Sequence, residues 1–171
     1  VHYLLEVLQK TVILHPVEAY VFDGSARALQ KAENYGIVRR YVTDTSESIA
    51  YLEEILERLT DGGEMGPEDP RILVVLENRT LLQSMASSKE NGQLALKVMR
   101  QLQEKGGLFL VSNMENMAPG FNAPELFKQL REQRFGMVFG SLSECRFYEV
   151  SVKQSREFTR SPVGGDAYLF Q

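Results

Sequence analysis

The sequence predicts an α/β fold, in which a mostly parallel sheet carries helices on both faces, and two observations support this fold class. The first is a run of five apolar residues, 72–76, preceded by Pro70 and followed by Glu77. Such a run cannot alternate between core and solvent, so it predicts a strand that is covered on both faces. The second is the order of segments, because strand-like and helix-like stretches alternate four or five times along the chain.

Composition limits the number of domains and the classes of partner. The 171 residues are 43% hydrophobic and 25% charged, which is ordinary for a folded protein. This length predicts a single domain over residues 1–171. The longest apolar runs have five or six residues, so nothing in the sequence predicts a membrane-spanning helix. A net charge of -4 and one adjacent basic pair, Arg39-Arg40, predict no nucleic-acid partner.

The cysteine and histidine residues predict neither a disulfide nor a metal site. Cys145 is the single cysteine, which excludes an internal disulfide and fits a reducing compartment. We expect it to be a buried structural thiol. His2 and His15 have no cysteine or suitably spaced acid near them, so they lack the pattern of a metal-ligand set.

Before the central strand, the sequence predicts three helices and two strands. The opening residues are apolar at helical spacing but have no N-cap, so we expect the chain to begin inside an element of a longer polypeptide. The next run is apolar and ends on Asp23, as a buried strand would. Ser25 is a suitable N-cap and Gly36 a suitable stop for the helix that follows. The expected order is a helix over residues 1–10, a strand over 18–23, a helix over 25–33, an edge strand over 37–42 and an amphipathic helix over 43–60.

The second part of the chain begins with a loop, because residues 61–70 contain three glycines, two prolines and four acids. Residues 87–92 fit either a turn or the start of the next helix. Gly106-Gly107 breaks that helix, and Pro124 suits the first turn of a later one. After the central strand we expect a helical stretch over 80–84, a helix ending at 104, a strand over 108–111, a loop over 116–122, a helix over 123–133, a strand over 135–139, an ambiguous segment over 141–147 and a final strand over 167–170.

Polar residues follow two of the apolar strands, namely Glu77 and Asn78 after the central strand and Ser112 and Asn113 after the next one. The carboxyl ends of parallel strands form the edge where ligands bind in open α/β folds, so these four residues are the candidate site. Glu77 and Asn78 fit phosphate chemistry, and they equally fit the plain end of a buried strand. Asn113 can hydrogen-bond a γ-phosphate or cap a turn. We interpret Asp23 as a helix-flanking acid.

Several doubly wound classes place acids at strand ends. A receiver domain needs a lysine after a late strand, and none directly follows Val111 or Phe139, so this class is excluded. A P-loop ATPase needs a phosphate loop, an acid pair that holds Mg²⁺ and activates water, and a polar sensor. No Gly-x-x-x-x-Gly-Lys-[Ser/Thr] motif occurs in the sequence, so such a loop would lie upstream of Val1.

Five segments together resemble a known family: HPVEAYVFDG, YVTDTSESIAYLEEILERL, RILVVLENR, GGLFLVSNMENMAPGF and the terminal RSPVGGDAYLFQ. Their pattern and order resemble the FtsK/SpoIIIE group of P-loop translocases, and within it the C-terminal ATPase module of the EssC/EccC proteins of type VII secretion systems. The resemblance implies a RecA-like three-layer P-loop fold. It also implies a cytoplasmic module of a bacterial cell-membrane protein that carries several ATPase modules in tandem.

The resemblance further implies ATP and Mg²⁺ as cofactors. The implied partners are the neighbouring ATPase modules, in an oligomer, and the secreted WXG-type substrate. The last module of this family is often a degenerate ATPase that docks the C-terminal export signal of a substrate. The chain therefore fits either a docking or regulatory module without efficient hydrolysis, or an active translocase of protein, with DNA as the weaker cargo.

Carried over position by position, Glu77 and Asn78 stand at the catalytic Walker B position, and Ser112 and Asn113 stand at the sensor that contacts the nucleotide. In one register Glu77 replaces the Mg²⁺-ordering aspartate and Asn78 replaces the base. In the other, Leu76 replaces the aspartate and Glu77 is the base. Either way one required group is absent, because Asn cannot accept a proton as a carboxylate does and Leu cannot order a metal shell. The sequence therefore predicts a degenerate Walker B pair.

Overall fold

A computed structural model describes residues 1–11, 16–63, 66, 68–112, 114, 124–133, 136–139, 145, 147 and 167–170. The chain divides into two compact units, Val1–Ser112 and Asn113–Gln171, and each is described by itself below. The expectation of one domain over residues 1–171 stays a prediction.

Among its described residues, the first unit contains four strands, four α-helices and one 3-10 helix. They follow in the order α1 (His2–Thr11), β1 (Val17–Phe22), the 3-10 helix (Gln30–Asn34), β2 (Val38–Val42), α2 (Thr45–Asp61), β3 (Arg71–Leu76), α3 (Arg79–Ser87), α4 (Lys89–Glu104) and β4 (Leu108–Val111). Side chains cap three of the helices, since Asp44, Asn78 and Ser88 accept hydrogen bonds from backbone N–H groups in the first turns of α2, α3 and α4. Gly106, at a φ of 69°, follows the end of α4 in the left-handed conformation that glycine adopts readily.

The four strands form one parallel sheet in the order β2-β1-β3-β4. The predicted central strand β3 lies between β1 and β4, and all its residues from 72 to 76 are buried. In register, Phe22 pairs with Val42 and with Leu76, and Leu76 pairs with Val111, so the strands end level with one another. The residues that follow the strands therefore lie along one edge of the sheet, and the predicted parallel α/β fold is confirmed.

Helices pack on both faces of this sheet. Successive side chains of a strand point to opposite faces, so each face has its own set of contacts. On one face, Ala19, Val21, Leu73 and Val75 belong to a core cluster that includes Leu5 of α1. On the other face, the Tyr20 hydroxyl accepts a hydrogen bond of 3.0 Å from Arg58 in α2. α4 packs against α2 and α3. The first unit is thus a three-layer arrangement, as the alternation of segments predicts.

The predicted helix over residues 25–33 is wrong. The chain instead makes successive turns, with hydrogen bonds from Arg27 N to Gly24 O and from Gln30 N to Arg27 O, and only the 3-10 helix follows. The physical reason is that the buried Asp23 carboxylate accepts from Leu29 N, a donor that the predicted helix would direct to the carbonyl oxygen of Ser25. Residues 87–92 prove to be the end of α3, the cap residue Ser88 and the start of α4.

The second unit contains α5 (Glu125–Glu132), β5 (Gly136–Phe139) and β6 (Ala167–Phe170). α5 follows Pro124 and buries Leu126 and Phe127. β5 and β6 form an antiparallel pair of their own. Cys145 is buried, as expected of a structural thiol. The predicted loop over 116–122 and most of the ambiguous segment 141–147 lie outside the described residues.

No helix in the described ranges has both the length and the apolar character that crossing a bilayer requires.

Candidate functional site

The carboxyl edge of the parallel sheet is lined with polar residues. Asp23 follows β1, Thr43 follows β2, Glu77 and Asn78 follow β3, and Ser112 follows β4. Because the strands end in register, these residues come together although up to 89 positions separate them in the chain (112 minus 23). The edge is the place where parallel α/β folds bind ligands.

Glu77 and Ser112 form a hydrogen-bonded pair across the ends of β3 and β4, in which the Ser112 hydroxyl donates to the Glu77 carboxylate. The backbone fixes both residues, since Glu77 N donates to Phe22 O at 2.8 Å and Ser112 N donates to Leu76 O at 3.0 Å. Both residues are half-buried. The structure therefore brings together one predicted catalytic residue and one predicted sensor residue.

Asn78 is occupied as the N-cap of α3. Its Oδ1 accepts from Leu81 N at 3.0 Å, and its Nδ2 lies 3.5 Å from the carbonyl oxygen of Thr43, to which it donates. The residue is only 2% exposed. Both ends of the amide are thus engaged with backbone groups, and the side chain ties β3 to the end of β2. A side chain held in this way has little capacity to act on a ligand.

Asp23 is fully buried and accepts three hydrogen bonds. The donors are Gly24 N at 2.8 Å, Leu29 N at 2.8 Å and the Tyr41 hydroxyl at 2.7 Å. Burial, and then the hydrogen bond to Asp23, raise the pKa of Tyr41 well above its usual range. Asp23 therefore organises the segment that follows β1, a role that the interpretation as a helix-flanking acid missed. The available signal was the buried strand that is followed directly by an acid.

The ends of β1 and β3 approach each other at Gly24. A Cβ added to Gly24 would lie 3.7 Å from the carbonyl oxygen of Glu77 and 3.8 Å from the Cα of Asn78, both ordinary contact distances. Glu77 is therefore flanked by backbone on the β1 side and by Ser112 on the β4 side.

The oxygen atoms at this edge suit a hard cation such as Mg²⁺. Mg²⁺ in nucleotide sites takes one or two carboxylates together with waters and substrate phosphates. Glu77 supplies a carboxylate and Ser112 a hydroxyl, whereas Asp23 is enclosed by its own donors. Within the described ranges, no three His, Cys, Asp or Glu residues cluster as a metal site. The predicted sensor residue Asn113 lies outside the described residues.

A second polar feature, which the sequence did not indicate, lies at the opposite, amino edge of the sheet. A cavity of about 170 Å³ is bordered by residues that include Arg58, Asp69 and Lys105. Arg58 forms an ion pair with Glu18 and a hydrogen bond to Tyr20. Burial lowers the pKa of Arg58, but these two hydrogen bonds outweigh it and raise the pKa overall. The ion pair joins the start of β1 to the last turn of α2.

The first unit is a parallel α/β arrangement with a polar carboxyl edge, which is the position where ligands bind in folds of this class. Among solved structures, the chain is similar to the cytoplasmic domain of EssC, with 19% sequence identity and a TM-score of 0.55. The similarity covers 98% of this chain but 36% of the EssC chain. No protein-family model and no curated protein matches the sequence. At this level of identity the similarity shows the fold.

Proposed function

We propose that the chain is a degenerate ATPase module of a type VII secretion motor, with a RecA-like P-loop fold of the FtsK/SpoIIIE type. In this proposal it assists the export of WXG-type proteins by docking the substrate or by regulating neighbouring ATPase modules. The observation that carries the proposal is that both ends of the Asn78 amide are hydrogen-bonded to backbone groups, one of them as the cap of α3. Similarity to the EssC cytoplasmic domain over 98% of the chain supports the choice of motor.

The geometry around Asn78 gives the physical reason for weak hydrolysis. Efficient hydrolysis needs one group to order Mg²⁺ and another to accept a proton from water. Glu77 can serve one of these needs, but Asn78 has no basic oxygen and is held against Leu81 and Thr43. Loss of a general base typically lowers the rate by a factor of about 100 to 10,000. Turnover of about 0.1 per second or less follows if an intact module works at about 10 per second.

ATP and Mg²⁺ are the proposed ligands of the carboxyl edge. Mg²⁺, when bound, would neutralise phosphate charge, and Glu77 is the residue that would hold it or its water shell, with Ser112 beside it. The sequence contains no phosphate-loop motif, which is a further reason to expect weak hydrolysis.

The proposed partners follow from the same assignment. They are the neighbouring ATPase modules of the parent protein, in an oligomer, and the secreted WXG-type substrate. We place the module on the cytoplasmic side of a bacterial membrane. A net charge of -4 disfavours nucleic acid as a partner, because phosphate neutralisation needs clustered Lys and Arg.

Steady-state ATP hydrolysis by the purified protein tests the proposal. We expect turnover of about 0.1 per second or less together with measurable binding of the WXG-type substrate or of a neighbouring module. Turnover near the typical enzyme value of about 10 per second would contradict it.

The second candidate is an active translocase, which the half-buried Glu77 at the carboxyl edge favours. In that case Glu77→Gln abolishes an otherwise fast turnover, and a Gly-Lys-[Ser/Thr] motif precedes Val1. A DNA-pumping version requires retardation of DNA in a gel-shift at low salt, where phosphate contacts are strongest.

A further inference from the structure

The hydroxyl of Ser112 faces two acceptors at the end of β4. It donates to the Glu77 carboxylate and also lies 3.3 Å from the carbonyl oxygen of Leu76. A serine hydroxyl has a single proton, so it can satisfy one strong acceptor at a time. Of the two acceptors, the ionised carboxylate forms the stronger hydrogen bond, so the proton belongs to the bond with Glu77.

This use of the proton changes what Ser112 can do for a phosphate. When the proton points to Glu77, the hydroxyl presents lone pairs on its other side, and these do not attract phosphate oxygens. A direct sensor contact between Ser112 and a nucleotide would require the bond to Glu77 to break. The geometry therefore favours an action of Ser112 through Glu77.

We propose that Ser112 is a positioning residue that holds the carboxylate of Glu77 in one orientation at the carboxyl edge, and is not itself a nucleotide contact. Free glutamate side chains sample many rotamers, and a fixed donor on the neighbouring strand removes much of that freedom. Ser112 is well suited to the task because its backbone N is itself fixed to Leu76 O at 3.0 Å. The consequence for ATP rests on the proposed function, whereas the pairing itself does not.

The pairing is tested by measuring the side-chain rotamers of Glu77 by NMR, through three-bond couplings about χ1 and χ2. In the wild-type protein the couplings should report one dominant rotamer, and Ser112→Ala, which removes the donor, should average them towards the values of an unrestrained side chain. Ser112→Thr keeps the hydroxyl and should restore the single rotamer. Ser87→Ala, a matched control at the end of α3 whose hydroxyl bonds to Gln83 and Ser84 carbonyls, should leave the rotamer unchanged. An unchanged single rotamer of Glu77 in folded Ser112→Ala overturns the proposal.

A measurement on the wild-type protein covers the case in which Ser112→Ala does not fold. In the wild-type protein the three-bond couplings of the Ser112 side chain should report one χ1 rotamer, and they should become averaged in Glu77→Ala, which removes the acceptor. Averaged Ser112 couplings in the wild-type protein would overturn the proposal.

The nucleotide experiment separates positioning from direct contact. With MgATP, Ser112→Ala should lower turnover by about tenfold while the Kd for ATP stays within about twofold, since only the orientation of Glu77 changes. A tenfold weaker Kd with an unchanged Glu77 rotamer would instead establish a nucleotide contact and overturn the proposal. If wild-type protein binds no MgATP, the proposed function fails, and the two NMR measurements of side-chain rotamers still decide the role of Ser112.

Discussion

An acid directly follows each of the neighbouring strands β1 and β3, yet the two acids have different surroundings. Asp23 is fully buried and accepts from two backbone N–H groups of the segment that follows it. Glu77 is half-buried and accepts from a side chain of the adjacent strand. The comparison teaches that an acid at a strand end is structural when the following segment wraps around it. It remains accessible to a ligand when the following residue starts a helix that leads away.

The largest expected effect is the difference in stability between Asp23→Asn and Glu77→Gln. At position 23 the new amide nitrogen must face a donor inside the core, so the free energy of unfolding should fall by about 2 to 4 kcal/mol. At position 77 the half-exposed site should lose about 1 kcal/mol or less. Urea denaturation of both variants measures the difference. Equal losses would remove the distinction between the two acids.

The next effect concerns Asn78, which caps α3, whereas its neighbour Glu77 is the acid that faces the carboxyl edge. Asn78→Ala should destabilise the protein by about 1 to 2 kcal/mol, because the N-cap of α3 is lost. Asn78→Ser keeps an acceptor for Leu81 N without placing a charge against the Thr43 carbonyl oxygen, and should cost clearly less. Urea denaturation is again the measurement. If alanine were tolerated as well as serine, the cap would not be the function of this amide.

A smaller effect is expected from Tyr41, which donates to Asp23. Its pKa is raised in the folded state, so the folded protein holds this proton more tightly than the unfolded chain. The stability contributed is fully present below the unfolded pKa of about 10 and fades as the pH rises above it. Wild-type stability should therefore fall more steeply than that of Tyr41→Phe between about pH 10 and 12. Urea denaturation at several pH values measures both proteins. If the free energies of unfolding of wild type and Tyr41→Phe fell equally with pH across this range, the Tyr41–Asp23 hydrogen bond would be contradicted.

The smallest effect is expected at Gly24, where the ends of β1 and β3 meet. An added methyl would make ordinary contacts, so Gly24→Ala should change the free energy of unfolding by about 0.5 kcal/mol or less. Gly107→Ala is the matched control, because its Cβ would lie 2.7 Å from the carbonyl oxygen of Ile72. Overpacking of that kind should cost about 1 to 3 kcal/mol. A large loss at Gly24 would mean that the two strand ends pack more tightly than described.

Most of the first unit could be predicted from the sequence. The continuous apolar run of β3 and the amphipathic stripe of α2 each reflect a single local pattern, and both elements lie where expected. The segment after β1 could not be predicted, because it depends on Asp23 capturing Leu29 N and the Tyr41 hydroxyl. The antiparallel pairing of β5 with β6 also depends on contacts between distant parts of the chain.

The candidate site could be predicted in position but not in detail. The rule that ligands bind at the carboxyl ends of parallel strands located Glu77 and Ser112. The register of β3 and β4, which end level with each other, explains why the two residues meet. It could not reveal that Asn78 is a helix cap, since a residue after a strand and before a helix fits a cap and a catalytic position equally well. Local sequence cannot tell these apart, because the answer depends on where the Thr43 carbonyl lies.

The most direct test of the account is an NMR titration of the protein with MgATP up to about 5 mM, above the usual range of KM values. The account predicts that the side-chain resonances of Glu77 and Ser112 shift, while those of Asp23 and Tyr41 stay in place. The account would be contradicted if the resonances of Glu77 and Ser112 did not shift, or if shifts were confined to the amino-edge cavity around Arg58 and Lys105.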